Sequence, residues 1–181
     1  MLYYLNQNAV SESFCNNIIS DGENLNIIKA KIQDGNIANR SSEISWLDSD
    51  KLKNALRNLI QISNKESGWN YSLTEFEPLQ YTIYNKGDYY DWHIDSHTKP
   101  YNNGMIRKLS FSLCLNDDYE GGQFSVCTPH PISAKTKIET FDRPKTGTMI
   151  VFPSHTWHKV DKVTNGVRKT LVGWVVGKQW S

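Results

Sequence analysis

Cysteine is scarce in this sequence: Cys15, Cys114 and Cys127 are the only three, and no C-x-x-C occurs. An odd, widely spaced set argues against a disulfide framework and against a thiolate zinc knuckle. No stretch approaches the roughly 20 apolar residues that span a bilayer. The opening Met1-Leu2-Tyr3-Tyr4-Leu5-Asn6 lacks the basic region and the small-residue cleavage site of a signal peptide. Charge of one sign is lacking too. Twenty Lys and Arg against 19 Asp and Glu leave a formal charge of +1. That balance gives no support for bulk attraction to nucleic acid or to an anionic membrane. Internal repeats and low-complexity tracts are also absent. These absences predict a reduced, cytoplasmic protein without nucleic-acid or membrane partners. Its 181 residues fit one domain.

Aromatics, by contrast, are plentiful: six Trp and nine Tyr can fill a core and still line a pocket. Near the N-terminus, Ser11 or Ser13 can cap a short helix carrying Phe14, Ile18 and Ile19 and stopped near Gly22. Residues 25–33 alternate weakly through Ile28, Ala30 and Ile32 and suggest a strand. Asp48 or Ser49 opens a second helix with Leu52, Ala55, Leu56, Leu59 and Ile60 on one stripe. Beyond Trp69 the pattern turns to short strands, expected at 69–76, 79–84, 107–115, 122–127, 136–141, 147–152, 157–163 and 167–176. Asn165-Gly166 fits a two-residue hairpin turn. The spacing predicts a mainly β protein: a jelly-roll (double-stranded β-helix) core over 69–181, buttressed by helices and a strand within 1–68.

Histidine is limited to five positions, His93, His97, His130, His155 and His158. In His93-Ile94-Asp95 an imidazole and a carboxylate two residues apart share one face of an extended chain and can converge on one cation. Alone, such a pair is more simply a surface hydrogen bond. A second histidine, His155 or His158, follows an apolar strand, and Arg168 stands ten residues after His158. Two His and one Asp form the facial triad of non-haem Fe(II) sites, and a guanidinium suits bidentate capture of a carboxylate.

These residues lie within an ordered set of motifs. Tyr81-Thr82-Ile83-Tyr84 leads through Gly87 and Tyr90 to His93-Ile94-Asp95. Arg107-Lys108-Leu109-Ser110, Tyr119-Glu120-Gly121-Gly122-Gln123-Phe124, Pro144 to Gly147 and Phe152-Pro153-Ser154 follow. His158 and Val160, then Val163 to Arg168, and Trp174 close the set. Over residues 79–176 the chain resembles the prolyl 4-hydroxylase and procollagen-lysine-hydroxylase-like family of Fe(II)- and 2-oxoglutarate-dependent dioxygenases.

The resemblance implies Fe(II) held by His93, Asp95 and His158, with His158 preferred over His155. It implies 2-oxoglutarate as cosubstrate, its distal carboxylate on Arg168, and ascorbate as an accessory reductant. Tyr84 and Ser110 are the further cosubstrate-binding candidates, and no catalytic residue beyond the metal site is nominated. Trp174 reads as packing, His97 as an entrance-loop residue and His130 as loop surface. The implied activity is hydroxylation of a C–H bond with release of succinate and carbon dioxide. A prolyl residue of a peptide or protein is the expected target, favoured by Tyr89, Tyr90, Trp92 and Trp157 beside the ligands. A free amino-acid or metabolite hydroxylase and a non-catalytic jelly-roll binding module are the alternatives. A nucleic-acid demethylase of the same superfamily is disfavoured, because Trp174 stands where such enzymes carry a second arginine.

Overall fold

A computed structural model describes residues 1–30, 39–96 and 99–179. Two helices precede the sheet core. Helix α1 (Glu12–Glu23) is capped by Ser11, whose Oγ accepts from the Phe14 amide at 3.2 Å, and it buries Cys15, Ile18 and Gly22. Helix α2 (Asp50–Glu66) is capped by Ser49 and buries Leu56, Ile60, Ser63 and Asn64. The apolar stripe expected on α2 holds at Leu56 and Ile60, but Ala55 faces solvent.

The larger sheet runs β1 (Tyr4–Asn6), β12 (Met149–Pro153), β8 (Met105–Cys114), β15 (Arg168–Lys178), β6 (Leu79–Tyr84), β4 (Glu43–Leu47), β2 (Ile28–Lys29), with β5 (Glu75–Phe76) added on β15. Its central strands are buried on both faces, helices covering one side and a second sheet the other. That second sheet has the order β11 (Lys137–Phe141), β10 (Phe124–Thr128), β13 (Trp157–Val160), β7 (Tyr89–His93), β3 (Arg40–Ser41). A small sheet pairs β14 (Val163–Asn165) with β9 (Glu120–Gly121). Every pairing among the described residues is antiparallel. The layered antiparallel arrangement is the expected jelly roll.

Several expectations need correction. The strand at 25–33 reduces to Ile28–Lys29 at a sheet edge, and Ile32 lies outside the described residues. The strand at 69–76 reduces to Glu75–Phe76, because Asn70 adopts a left-handed backbone (φ 51°) and the Asn64 side chain bonds both polar groups of Tyr71. Asn165-Gly166 does not join a hairpin. Strand β15 pairs with β5, β6 and β8, and the turn carries the chain between sheets. Gly166 is needed there for close approach, since a Cβ would sit 2.8 Å from the Asp118 carbonyl oxygen. Strands β4 and β7 went unanticipated, and β7 carries His93.

Docking of α1 depends on Gly22. A Cβ there would lie 2.4 Å from Cγ of the buried Tyr81 ring. Alanine improves helix propensity over glycine by about 1 kcal/mol, whereas overpacking a core costs about 1–3 kcal/mol. Gly22→Ala is therefore expected to lose about 1 kcal/mol net and to lower Tm by about 2–4 °C in a circular-dichroism melt. A raised Tm would show that α1 does not sit this tightly on β6.

Candidate metal centre

Strands β7 and β13 face each other, with His158 opposite His93 and Val160 opposite Tyr90. One residue on β13, Lys159, therefore opposes two on β7, Asp91 and Trp92. This β-bulge changes the alternation of side chains. Tyr90 and His93, three residues apart, would otherwise point to opposite faces. Here their rings stack at 3.5 Å, both inside the sandwich. Asp95 lies just beyond the strand, its position set by Ser154, whose carbonyl accepts from the amides of Asp95 and Ser96 at 2.9 Å.

The three side chains converge. One ligand atom from each of His93, Asp95 and His158 lies within 4.8 Å of the others. Asp95 Oδ1 is 4.0 Å from His93 Nε2, and Oδ2 is 3.4 Å from His158 Nε2. Both imidazoles are fixed from behind. His93 Nδ1 meets the Asp91 carbonyl at 2.7 Å and His158 Nδ1 meets the Thr156 carbonyl at 2.9 Å. A carbonyl only accepts, so each Nδ1 carries a proton and each Nε2 is the nitrogen turned toward the centre. Asp95 Oδ2 is buried without a hydrogen-bond partner.

The two His93-side charges are tuned in the same sense. Burial, followed by the neighbouring His158, pushes the His93 imidazole down to about 3 and keeps it neutral. Burial pushes the Asp95 carboxyl up, but His158, His93, Arg107 and the Ser110 hydroxyl outweigh it and keep the group ionised. Two imidazole Nε2 atoms and an ionised carboxylate thus converge in a buried site. That is the donor set that holds a divalent cation, to which both Nε2 atoms would present lone pairs.

The triad opens on a cavity of about 1040 Å³ between the sheets. Arg168 lines its closed end at 1% exposure. The guanidinium lies 5.3 Å over the ring of Tyr84, its register partner on β6, and Nε and one terminal nitrogen are buried without partners. A Cβ on Gly122 would lie 2.9 Å from Arg168 Cδ, so this position of the positive-φ Gly121-Gly122 pair makes room for the side chain. Thr170, on the same strand face, contributes a further buried hydroxyl without a partner. A buried cation this incompletely satisfied fits an anionic ligand.

Other sequence candidates fall elsewhere. Ser110 is buried against Asp95 with its Oγ bonded to Ser154 Oγ at 2.9 Å, and it is not part of the cavity wall. It pairs with Trp174, six positions along β15 from Arg168. His155 is exposed, His130 packs edge-on against Trp157 at 4.3 Å, and His97 lies outside the described residues. Of Tyr89, Tyr90, Trp92 and Trp157, only Tyr90 lines the cavity; Trp92 and Tyr89 instead meet Lys159 and Lys162. Burial raises the Tyr90 phenol to about 12 despite Arg40.

Sequence reasoning missed much of the outer wall: Arg40, Trp46, Glu77 and the cavity role of Trp174. Trp174 packs 4.0 Å under the Arg107 guanidinium, and both belonged to quoted motifs, so a signal existed for them. Arg40, Trp46 and Glu77 lie outside those motifs.

Comparison with known proteins agrees with this geometry. Among curated relatives, a PKHD-type hydroxylase of Synechococcus sp. (strain CC9902) is 37% identical over 91 residues, covering 49% of this chain and 36% of the relative. One from Picosynechococcus sp. (strain ATCC 27264 / PCC 7002 / PR-6) is 36% identical over 99 residues, covering 54% of this chain and 41% of the relative. The match thus spans less than half the length of these relatives. Among solved structures, a Pseudomonas putida prolyl-4-hydroxylase superposes with a TM-score of 0.70 at 19% identity, over 98% of this chain and 93% of that one. A viral collagen prolyl hydroxylase from Paramecium bursaria Chlorella virus-1 gives 0.71 at 18% identity, over 98% and 97%. At such identities the likeness shows the fold, a jelly roll. The family profile matches residues 79–176, more than half of the chain and the whole stretch that carries the triad and Arg168, and the chain belongs to the 2OG-Fe(II) oxygenase superfamily.

Proposed function

We propose that this protein is an Fe(II)- and 2-oxoglutarate-dependent dioxygenase that hydroxylates a prolyl residue of a peptide or protein, releasing succinate and carbon dioxide. The observation that carries the reading is the convergence of two imidazole Nε2 atoms and one carboxylate in a cavity that also holds a buried guanidinium with unpartnered nitrogens. His93, Asp95 and His158 would hold the iron, which when bound supplies the activation of oxygen that hydroxylation requires. Asp91 and Thr156 keep the imidazoles in the ligating tautomer through their carbonyls. Ser110, bonded to Ser154 and beside Asp95, would position that carboxylate, alongside the cosubstrate role expected of it from the sequence. Arg168 would hold the distal carboxylate of 2-oxoglutarate, with Tyr84 flanking it. The closed end of the cavity keeps water away from that pair and strengthens it.

Support for a peptide substrate comes from two sides. The cavity is lined toward the surface by Tyr90, Trp46 and Trp174, whose flat faces suit a pyrrolidine ring and an extended backbone. A further solved structure with this fold, a prolyl hydroxylase from Trichoplax adhaerens in complex with a hypoxia inducible factor oxygen degradation domain peptide fragment, superposes with a TM-score of 0.70 at 21% identity over 96% of this chain.

Three outcomes are expected. In titration calorimetry with Mn(II), His158→Ala should weaken metal binding by about 100-fold or more, above the roughly 10–100-fold typical of changing a group that only hydrogen-bonds a ligand. His155→Ala should bind like wild type; the reverse pattern would move the third ligand to His155. Arg168→Ala should weaken 2-oxoglutarate by about 30-fold or more, from the roughly 2–5 kcal/mol lost when a buried charge pair is broken. Its metal affinity should change little, and unchanged 2-oxoglutarate affinity would place the distal carboxylate elsewhere. Finally, proline-containing peptides, free proline and free lysine can be compared by succinate release together with a +16 Da product. Coupled turnover on a free amino acid and on no peptide would overturn the peptide assignment.

A further inference from the structure

The outer rim of the cavity carries a charge that the assigned chemistry does not use. Two guanidiniums stand there, and their surroundings differ. Arg107 is neutralised by Glu77, with Nε on Oε1 at 2.9 Å and a terminal nitrogen on Oε2 at 2.6 Å, and Tyr101 donates to the same carboxylate. Arg40 is held by neutral acceptors instead: Nε donates to Ser42 Oγ and a terminal nitrogen to Gln80 Oε1, each at 2.8 Å. Its guanidinium lies 4.6 Å over the ring of Tyr90, its register partner on β7. Among the described residues no carboxylate pairs with Arg40. Lys99 adds an exposed cation to the same wall.

The charges inside the loaded site would close on themselves. Iron, Asp95, the two carboxylates of 2-oxoglutarate and Arg168 balance, and Arg107 balances Glu77. Arg40 is left over. It is also in the wrong place to serve the cosubstrate, standing opposite Tyr90 on edge strand β3, whereas Arg168 stands opposite Tyr84 at the closed end. A guanidinium fixed at two nitrogens and one face, with N–H groups to spare, is a preorganised donor site for a carboxylate. Trp46, at 44% exposure and 6.2 Å from Trp174, shows that this wall reaches the surface, where a substrate must enter.

We propose that Arg40 is a specificity-determining residue that binds a carboxylate of the substrate, so that an acidic group beside the target proline is preferred. This rests on the peptide-hydroxylase reading above. The carboxylate can come from a flanking Asp or Glu side chain or from a C-terminal proline, and the test separates the two.

The test is titration calorimetry of peptides into enzyme loaded with Mn(II) and 2-oxoglutarate, where binding is read without turnover. One pair of peptides carries Asp or Asn beside the proline; a second pair ends in proline as the free acid or the amide. One of the acids should bind about 10-fold tighter than its amide, the size of a charge-assisted hydrogen bond. In Arg40→Gln that ratio should fall to within about twofold, and Arg40→Lys should restore part of it, which loss of a purely structural contact would not. Equal binding of acid and amide, binding of neither, or a ratio that survives Arg40→Gln would each overturn the proposal. Acid preference with no peptide hydroxylated on return to Fe(II) and oxygen would uphold Arg40 as the anion reader and sink the peptide-hydroxylase reading instead.

Discussion

The register between β7 and β13 is the constraint on which the rest depends. His93 lies opposite His158, and one bulge of two residues against one places Tyr90 on the same inner face as His93. A regular strand in that register would turn Tyr90 away and remove the aromatic surface that carries Arg40. Trp92, next to His93, points outward by ordinary alternation, and its ring lies under Lys159. One extra residue thus brings Tyr90 into the site.

Electrostatics divides the cavity into zones with different needs. At the closed end a cation lacks an anion, since Arg168 is buried with unpaired nitrogens. At the centre, anionic and lone-pair donors lack a cation. Each deficit is costly in a low-dielectric interior, and each is of opposite sign, so a metal and a dicarboxylate relieve both together. At the rim, Arg107 is already matched by Glu77 while Arg40 rests on neutral groups. The interior is arranged for ligands it does not itself provide.

Much of this was legible in the sequence because the chemistry is compact there. His93 and Asp95 are two residues apart, His158 follows the apolar β12 and Arg168 opens β15, and six of the eight expected strands fall within about two residues of their observed ends. Strand β7 was hidden because its bulge breaks the alternation that marks a half-buried strand. Ser110 sits beside Asp95 and outside the cavity lining, a placement hidden in the sequence because facing the interior does not say which end of a ten-residue strand a group serves. Arg40, Trp46 and Glu77 carried no signal, since they reach the cavity from three separate strands or connections whose pairing is set by long-range contacts.

The central claim is that the Nε2 atoms of His93 and His158 and the Asp95 carboxylate converge to hold one divalent cation. Long-range proton–nitrogen NMR reads this directly, because it distinguishes the two ring nitrogens of each histidine. With Zn(II) added, His93 and His158 should both carry the proton on Nδ1, and both Nε2 resonances should shift. An Nε2 of either ring that Zn(II) leaves unshifted would make the cluster an ordinary His–Asp contact and contradict the claim.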